Sequence, residues 1–170
     1  CSMVRMGISM YGLPPSREFD GLLPVKPLME MKTAVAMVKD IPAGCSVSYG
    51  RTFISDRPMR VATVPVGYAD GYRRALSNRA DMLLHGKRAR VLGTVCMDQL
   101  MLDVSDIPQV KTGDVATVFG RSGDAFLPVE ELASLSGTIN YEIICGISRR
   151  VPRVYFRGGK PIETVDYLLP

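Results

Sequence analysis

The chain has 170 residues, 46% of them hydrophobic and 22% charged, with a formal net charge of +4. That length suits one main domain with a real core, and the composition excludes a disordered chain; apolar stretches such as 34–38 fall far short of the ~20 residues of a membrane-spanning helix and no charged-then-apolar leader opens the sequence, so a soluble, cytoplasmic protein is expected. The basic residues at Arg149, Arg150, Arg153 and Arg157 are interleaved with apolar ones and carry no recognition motif, which argues against a nucleic-acid partner.

In chain order, 4–12 is a short apolar, strand-like run stopped by Pro14-Pro15, which can continue neither a ladder nor a helix. Residues 17–23 then pass through Asp20-Gly21, a turn signal. Residues 29–38 carry Met31, Thr33, Val35 and Met37 on one parity and end at the turn Pro42-Ala43-Gly44. Further strands are predicted at 47–53, 60–66, 81–84, 88–95, 101–104 and 114–119. A helix is predicted over 129–135, with Pro128 at its start, Glu130 and Glu131 in its first turn and Gly137 after its end. Another helical turn is expected at 141–147, then a final strand at 151–156 with Pro152 marking it as an edge. The fold class is therefore mainly β: a barrel-like domain of many short strands with one or two short helices.

Cysteines stand at 1, 45, 96 and 145, with no C-x-x-C pair, and His85 is the only histidine, so no metal site is expected. The thiols are expected to be reduced, with Cys96 and Cys145 acting as small core residues.

Chemistry is carried by four short runs: Val47-Ser48-Tyr49-Gly50-Arg51-Thr52-Phe53, Gly67-Tyr68-Ala69-Asp70-Gly71-Tyr72, Val95-Cys96-Met97-Asp98-Gln99 and Thr138-Ile139-Asn140-Tyr141-Glu142. A tyrosine in a strand-like context reads most simply as a packing residue with a satisfied hydroxyl. A free tyrosine titrates near pH ~10, so a reactive one needs a cationic or hydrogen-bonding setting. Asp70-Gly71 and Asp98-Gln99 read equally well as turns.

Together, in this order, the runs resemble the C-terminal half of an alanine racemase, and the resemblance extends from Arg5 to Tyr155. It implies residues 1–13 as the remnant of an N-terminal (β/α) barrel plus linker, and 14–170 as the β-rich C-terminal domain. In that family a barrel lysine covalently holds pyridoxal 5'-phosphate, and a tyrosine from the other subunit reaches the opposite face of the substrate. Tyr49 matches that tyrosine and is the implied catalytic base. Arg5 matches the arginine facing the pyridine nitrogen of the cofactor, Gly7 and Ile8 the backbone donors to its phosphate, and Tyr141 a hydroxyl reaching the same phosphate. Tyr68 and Met97 match substrate-site positions, and Arg74 and Asp98 the surrounding lining. Thr94 stands where many relatives have an arginine, which bears on the electrostatics of the entrance.

The resemblance thus implies two-base interconversion of L- and D-alanine, for bacterial peptidoglycan, by a homodimer that also needs its own N-terminal barrel. The chain alone, lacking the lysine, is expected to be inactive and to bind the cofactor weakly or not at all. A serine or broad-specificity racemase, and a non-catalytic β-barrel module for dimerisation or ligand binding, are the alternatives.

Overall fold

The computed structural model describes residues 2–19, 21–22 and 24–169; Cys1, Leu23, Pro170 and the Asp20 half of the predicted Asp20-Gly21 turn lie outside them. The strands are β1 (Met31–Ala34), β2 (Met37–Ile41), β3 (Ser46–Val47), β4 (Phe53–Ile54), β5 (Met59–Val64), β6 (Asp81–Leu84), β7 (Lys87–Leu92), β8 (Leu100–Asp103), β9 (Val115–Ser122), β10 (Ala125–Leu127), β11 (Arg153–Arg157) and β12 (Lys160–Val165). The helices are α1 (Val129–Leu135) and α2 (Asn140–Cys145).

The main sheet runs β1-β9-β6-β7-β8-β5-β2, with β10 a hairpin partner of β9. Its first and last strands are one stretch of chain bent at Val35-Ala36. The Val35 N–H donates to the Asp114 carbonyl on one side and the Ala36 N–H to the Thr63 carbonyl on the other, each at 2.8 Å. Strand β7 turns the opposite corner, pairing Arg90 with Asp81 of β6 and then Val91 with Leu102 of β8. Sharing strands at two corners rolls the sheet into the expected barrel-like form.

Alternation explains which face is inside. In β8, Leu100 and Leu102 are buried in the main core with Val64, Met82, Leu84, Val91 and Val118. Met101, of opposite parity, packs instead against a second cluster of Ile41, Val47, Met59, Val61 and Leu92, joined by Phe53. That outer cluster anchors the β3–β4 hairpin. Helices α1 and α2 bury Val129, Leu132, Ile143 and Ile144 in the main core, to which Ile8 and Leu13 of the N-terminal segment also belong.

Some expectations are corrected. Residues 7–11 form a 3-10 turn rather than a strand, because Gly7 and Gly12 both take left-handed φ values and Ile8 is drawn into the core. The strand expected over 47–53 is broken by a 3-10 turn at Tyr49–Arg51. Cys145 lies exposed at the end of α2 and is no core residue, whereas Cys96 is buried. The strand at 153–157 is not final: Gly158-Gly159, both with positive φ, turn the chain into β12.

On the barrel surface Arg88 grips Glu131 with both nitrogens, at 2.6 and 2.8 Å, and also reaches Asp81 at 3.1 Å. The hydrogen bond from Arg88 holds the Glu131 carboxyl below its ordinary range, against an opposing effect of burial. A depressed folded value means this carboxylate adds stability above its unfolded pKa, near ~4.3, and loses it as pH falls through the lower folded value. Arg88→Ala is therefore expected to flatten the loss of stability on acidification below about pH 4, read from denaturant midpoints between neutral and acid pH. An unchanged slope would remove the pair from the acid response.

Candidate functional site

Tyr49 lies between β3 and β4 on a backbone that few residues adopt: Ser48 has φ 67 and ψ −179, Gly50 has φ 73 and Arg51 has φ 51. The residue is 74% exposed. Its carbonyl accepts a hydrogen bond from Thr94 Oγ1 at 2.9 Å, and Ser48 Oγ donates to the Thr94 carbonyl at 2.5 Å. Gly93 lets the two segments meet, since a Cβ there would fall 2.5 Å from the Val47 carbonyl oxygen.

The loop 93–99 also organises the second run. Tyr68 and Ala69 donate their N–H groups to the Cys96 and Met97 carbonyls, each at 3.0 Å, so a short 3-10 turn at Tyr68–Asp70 is zipped onto Met97. Asp70 is buried: one oxygen accepts the Gly67 N–H at 2.8 Å and the other meets Arg150 Nε at 2.9 Å. Arg150 then reaches Asp98 at 2.6 Å. Asp70 thus closes its own turn and, through Arg150, fixes Asp98. Arg74 is exposed; its carbonyl accepts from Ser77 Oγ at 2.5 Å, and that oxygen in turn accepts the Val95 N–H at 2.9 Å. The structure therefore gathers Tyr49, Tyr68, Met97, Asp98 and the Arg74 backbone around one loop.

Tyr72, in the same run as Tyr68, is set apart from this chemistry. It is fully buried, and burial, with Asp81 and Glu131 adding to it, pushes its hydroxyl far above the ordinary tyrosine value. It stays a neutral core residue, whereas the Tyr49 and Tyr68 rings face outward.

Gly7, Ile8 and Tyr141 form a second group. A Cβ on Gly7 would meet only the Tyr141 hydroxyl, at 3.8 Å, so the glycine leaves an open notch beneath that oxygen. Asn140 beside it binds the Pro14 carbonyl at 3.2 Å and Glu130 at 3.1 Å, which fastens α2 to the N-terminal segment. Backbone N–H groups opening a 3-10 turn have no partners within it, and with a phenolic O–H above them they suit a phosphate in chemistry and in space. Arg5 is exposed just before this turn and makes no ion pair among the described residues.

Among the described residues no hydrogen bond or ion pair joins the two groups directly. They are linked mechanically through α2 and the segment just after it: Arg73 pairs with Glu142 of the helix at 2.5 Å, Gly71 packs on Gly146 so closely that a Cβ would fall 2.4 Å from its carbonyl oxygen, and the Ser148 N–H donates to the Asp70 carbonyl at 3.1 Å. Sequence reasoning missed the Asp70–Arg150–Asp98 bridge, reading Asp70 as a turn residue and Arg150 as one of a basic cluster. Only the spacing Gly67-x-x-Asp70, a side chain returning to the start of its own turn, hinted at part of it.

Comparison with known proteins gives one consistent family. The model of the alanine racemase C-terminal domain matches residues 28–155. The alanine racemase of Halothermothrix orenii is 47% identical over 153 residues, 90% of this chain and 40% of that protein. That of Geobacter sulfurreducens is 48% identical over 157 residues, 91% of this chain and 41% of the relative. The structure of alanine racemase from Bacillus anthracis with bound L-Ala-P aligns at TM-score 0.89 and 43% identity, covering 95% of this chain and 42% of that one. The Clostridium difficile 630 alanine racemase in complex with cycloserine aligns at 0.88 and 37% identity, covering 96% and 43%. This chain thus spans about two fifths of the length of the relatives it matches.

Proposed function

Because the chain belongs to the alanine racemase C-terminal domain family, we propose that it is the C-terminal part of a pyridoxal-phosphate-dependent racemase interconverting L- and D-alanine, with Tyr49 as one of two bases. The single observation carrying this reading is the setting of Tyr49, an exposed ring on a backbone pinned from two sides by the loop that bears Met97. A packing residue has no need of such fixation. A proton-transfer residue must be held still while facing outward.

Inversion at Cα requires a proton to leave one face and another to arrive at the opposite face. Tyr49 serves one face, taking or giving the proton at its phenolic oxygen. A lysine of the N-terminal barrel serves the other. Tyr49 meets it across a homodimer interface, so that two-fold symmetry yields two composite sites. Pyridoxal phosphate, when bound, supplies delocalisation of the negative charge that develops at Cα. Gly7, Ile8 and the Tyr141 hydroxyl would hold its phosphate. Arg5 would face its ring nitrogen, where a permanently charged guanidinium cannot take up a proton. The Met97 N–H would meet the substrate carboxylate, with Tyr68, Arg74 and Asp98 lining the approach. Residues 1–13 are read as the end of the barrel and its linker, and the intact enzyme as cytoplasmic.

The test is chiral analysis of alanine after incubation of the full-length protein with pyridoxal phosphate, beside the 170-residue chain. The full-length protein is expected to racemise either enantiomer and the shorter chain neither. Turnover of serine without alanine would reassign the substrate. Turnover of no amino acid would leave a binding module.

A further inference from the structure

Within this racemase reading, on which it rests, we propose that Thr94 is the positioning residue of Tyr49, acting through an ordered chain of hydrogen bonds that fixes the tyrosine backbone. The direction of each bond follows from counting protons. Gly93 N–H donates to Asn78 Oδ1 at 2.6 Å, and Asn78 Nδ2 donates to Thr52 Oγ1 at 3.1 Å. The Thr94 hydroxyl has a single proton and gives it to the Tyr49 carbonyl at 2.9 Å. At its 3.2 Å contact with Thr52 Oγ1 it can then only accept, so Thr52 is the donor there. The chain runs one way, Gly93 to Asn78 to Thr52 to Thr94 to Tyr49, and bonds aligned in this sense polarise one another.

Thr94 holds the segment twice. Its hydroxyl takes the Tyr49 carbonyl, while its own carbonyl takes the Ser48 hydroxyl at 2.5 Å. The double grip falls where the backbone resists its conformation. Ser48, at φ 67 and ψ −179, occupies a region that is nearly the preserve of glycine, and Arg51 is also left-handed at φ 51. Such conformations persist only where their surroundings over-determine them. Thr94 itself is buried, so its hydroxyl has no alternative partner in solvent. Outer packing of Val47 and Phe53 holds the hairpin, but it does not set the orientation of the peptide that carries the tyrosine.

The test uses the full-length enzyme with Thr94→Val, which keeps the branched shape and removes the hydroxyl, and Thr94→Ser, which restores it. Thr94→Val is expected to lower kcat/KM about tenfold to a hundredfold, the scale of a small misplacement of a reacting group. The primary deuterium isotope effect should rise for one α-deuterated enantiomer only, the one whose proton Tyr49 removes. Amide exchange of the 47–53 peptide should quicken while the global unfolding midpoint stays put, and Thr94→Ser should return both readouts toward the parent. In a Tyr49→Phe background Thr94→Val should add almost nothing. A parental rate for Thr94→Val beside a slow Tyr49→Phe enzyme overturns the positioning role and leaves Tyr49 as a base. An additive loss in the double variant, or an isotope effect raised equally for both enantiomers, overturns it as well. A parental rate for Tyr49→Phe removes the racemase reading of Tyr49 and this role with it.

Discussion

Tyr49→Phe in the full-length enzyme is expected to lower kcat/KM by about a hundredfold to ten-thousandfold, the range that a positioned acid or base contributes. The substitution keeps the ring and deletes only the oxygen. Because Tyr49 is 74% exposed and only its backbone is hydrogen-bonded among the described residues, the unfolding midpoint should not move. The two enantiomers have equal free energy, so kcat/KM must fall equally in both directions, and rate alone cannot say which face is impaired. Isotope effects can. Deuterium at Cα should become more strongly rate-limiting for the enantiomer whose proton Tyr49 abstracts. For the other enantiomer the loss should appear as a larger solvent isotope effect, since there Tyr49 delivers the proton. A variant as fast as the parent, or one slowed with symmetric isotope effects, would show that Tyr49 is not a base.

What the sequence revealed depended on whether the physics was local. The strand at 81–84 and the helix at 129–135 were legible because a short apolar run between turn residues, and an opening proline with two acids and a closing glycine, all act within a few residues. The Tyr49 turn was not. Val47 and Phe53 look like one strand, and nothing in the run shows that Ser48 and Arg51 take left-handed φ values. The bonds that hold this turn come from Thr94, 45 residues away from Tyr49 in the chain, so no local pattern could announce them. Thr94 stood out in the sequence only through the resemblance, and its hydrogen bonds to the Tyr49 segment were not visible there. Strand β12 escaped notice for the opposite reason: its residues are exposed on both faces apart from the last, half-buried Val165, which erases the alternation by which strands are read. Met97 offers no side-chain charge to betray it, and its neighbourhood with Tyr68 rests on backbone bonds between two loops.

That backbone zipper makes Gly67→Ala the substitution expected to damage the fold and the site together. Gly67 has φ −150, an extended value open to any residue, so its demand for glycine comes from space alone. A Cβ there would sit 2.3 Å from the carbonyl oxygens of both Cys96 and Met97. Those oxygens belong to backbone and already accept the Tyr68 and Ala69 N–H groups, so no flexible side chain can swing aside to relieve the overlap. The loops must part, loosening the Asp70 bond to the Gly67 N–H and the anchorage of Tyr68 and Met97. Overpacking of this kind costs about 1–3 kcal/mol. Gly113→Ala makes the comparison, because its Cβ would meet nothing and only its φ of +91 is unfavourable, a strain of about 1–2 kcal/mol. Denaturant unfolding of the two variants should therefore rank Gly67→Ala as no more stable than Gly113→Ala. The difference should be sharper in catalysis: Gly67→Ala is expected to raise KM for alanine by moving Met97, while Gly113→Ala leaves it alone. Equal, parental KM values in both variants would mean that the 66–72 and 94–99 loops do not need their close seat for substrate binding, and the assignment of Met97 to the substrate carboxylate would fall.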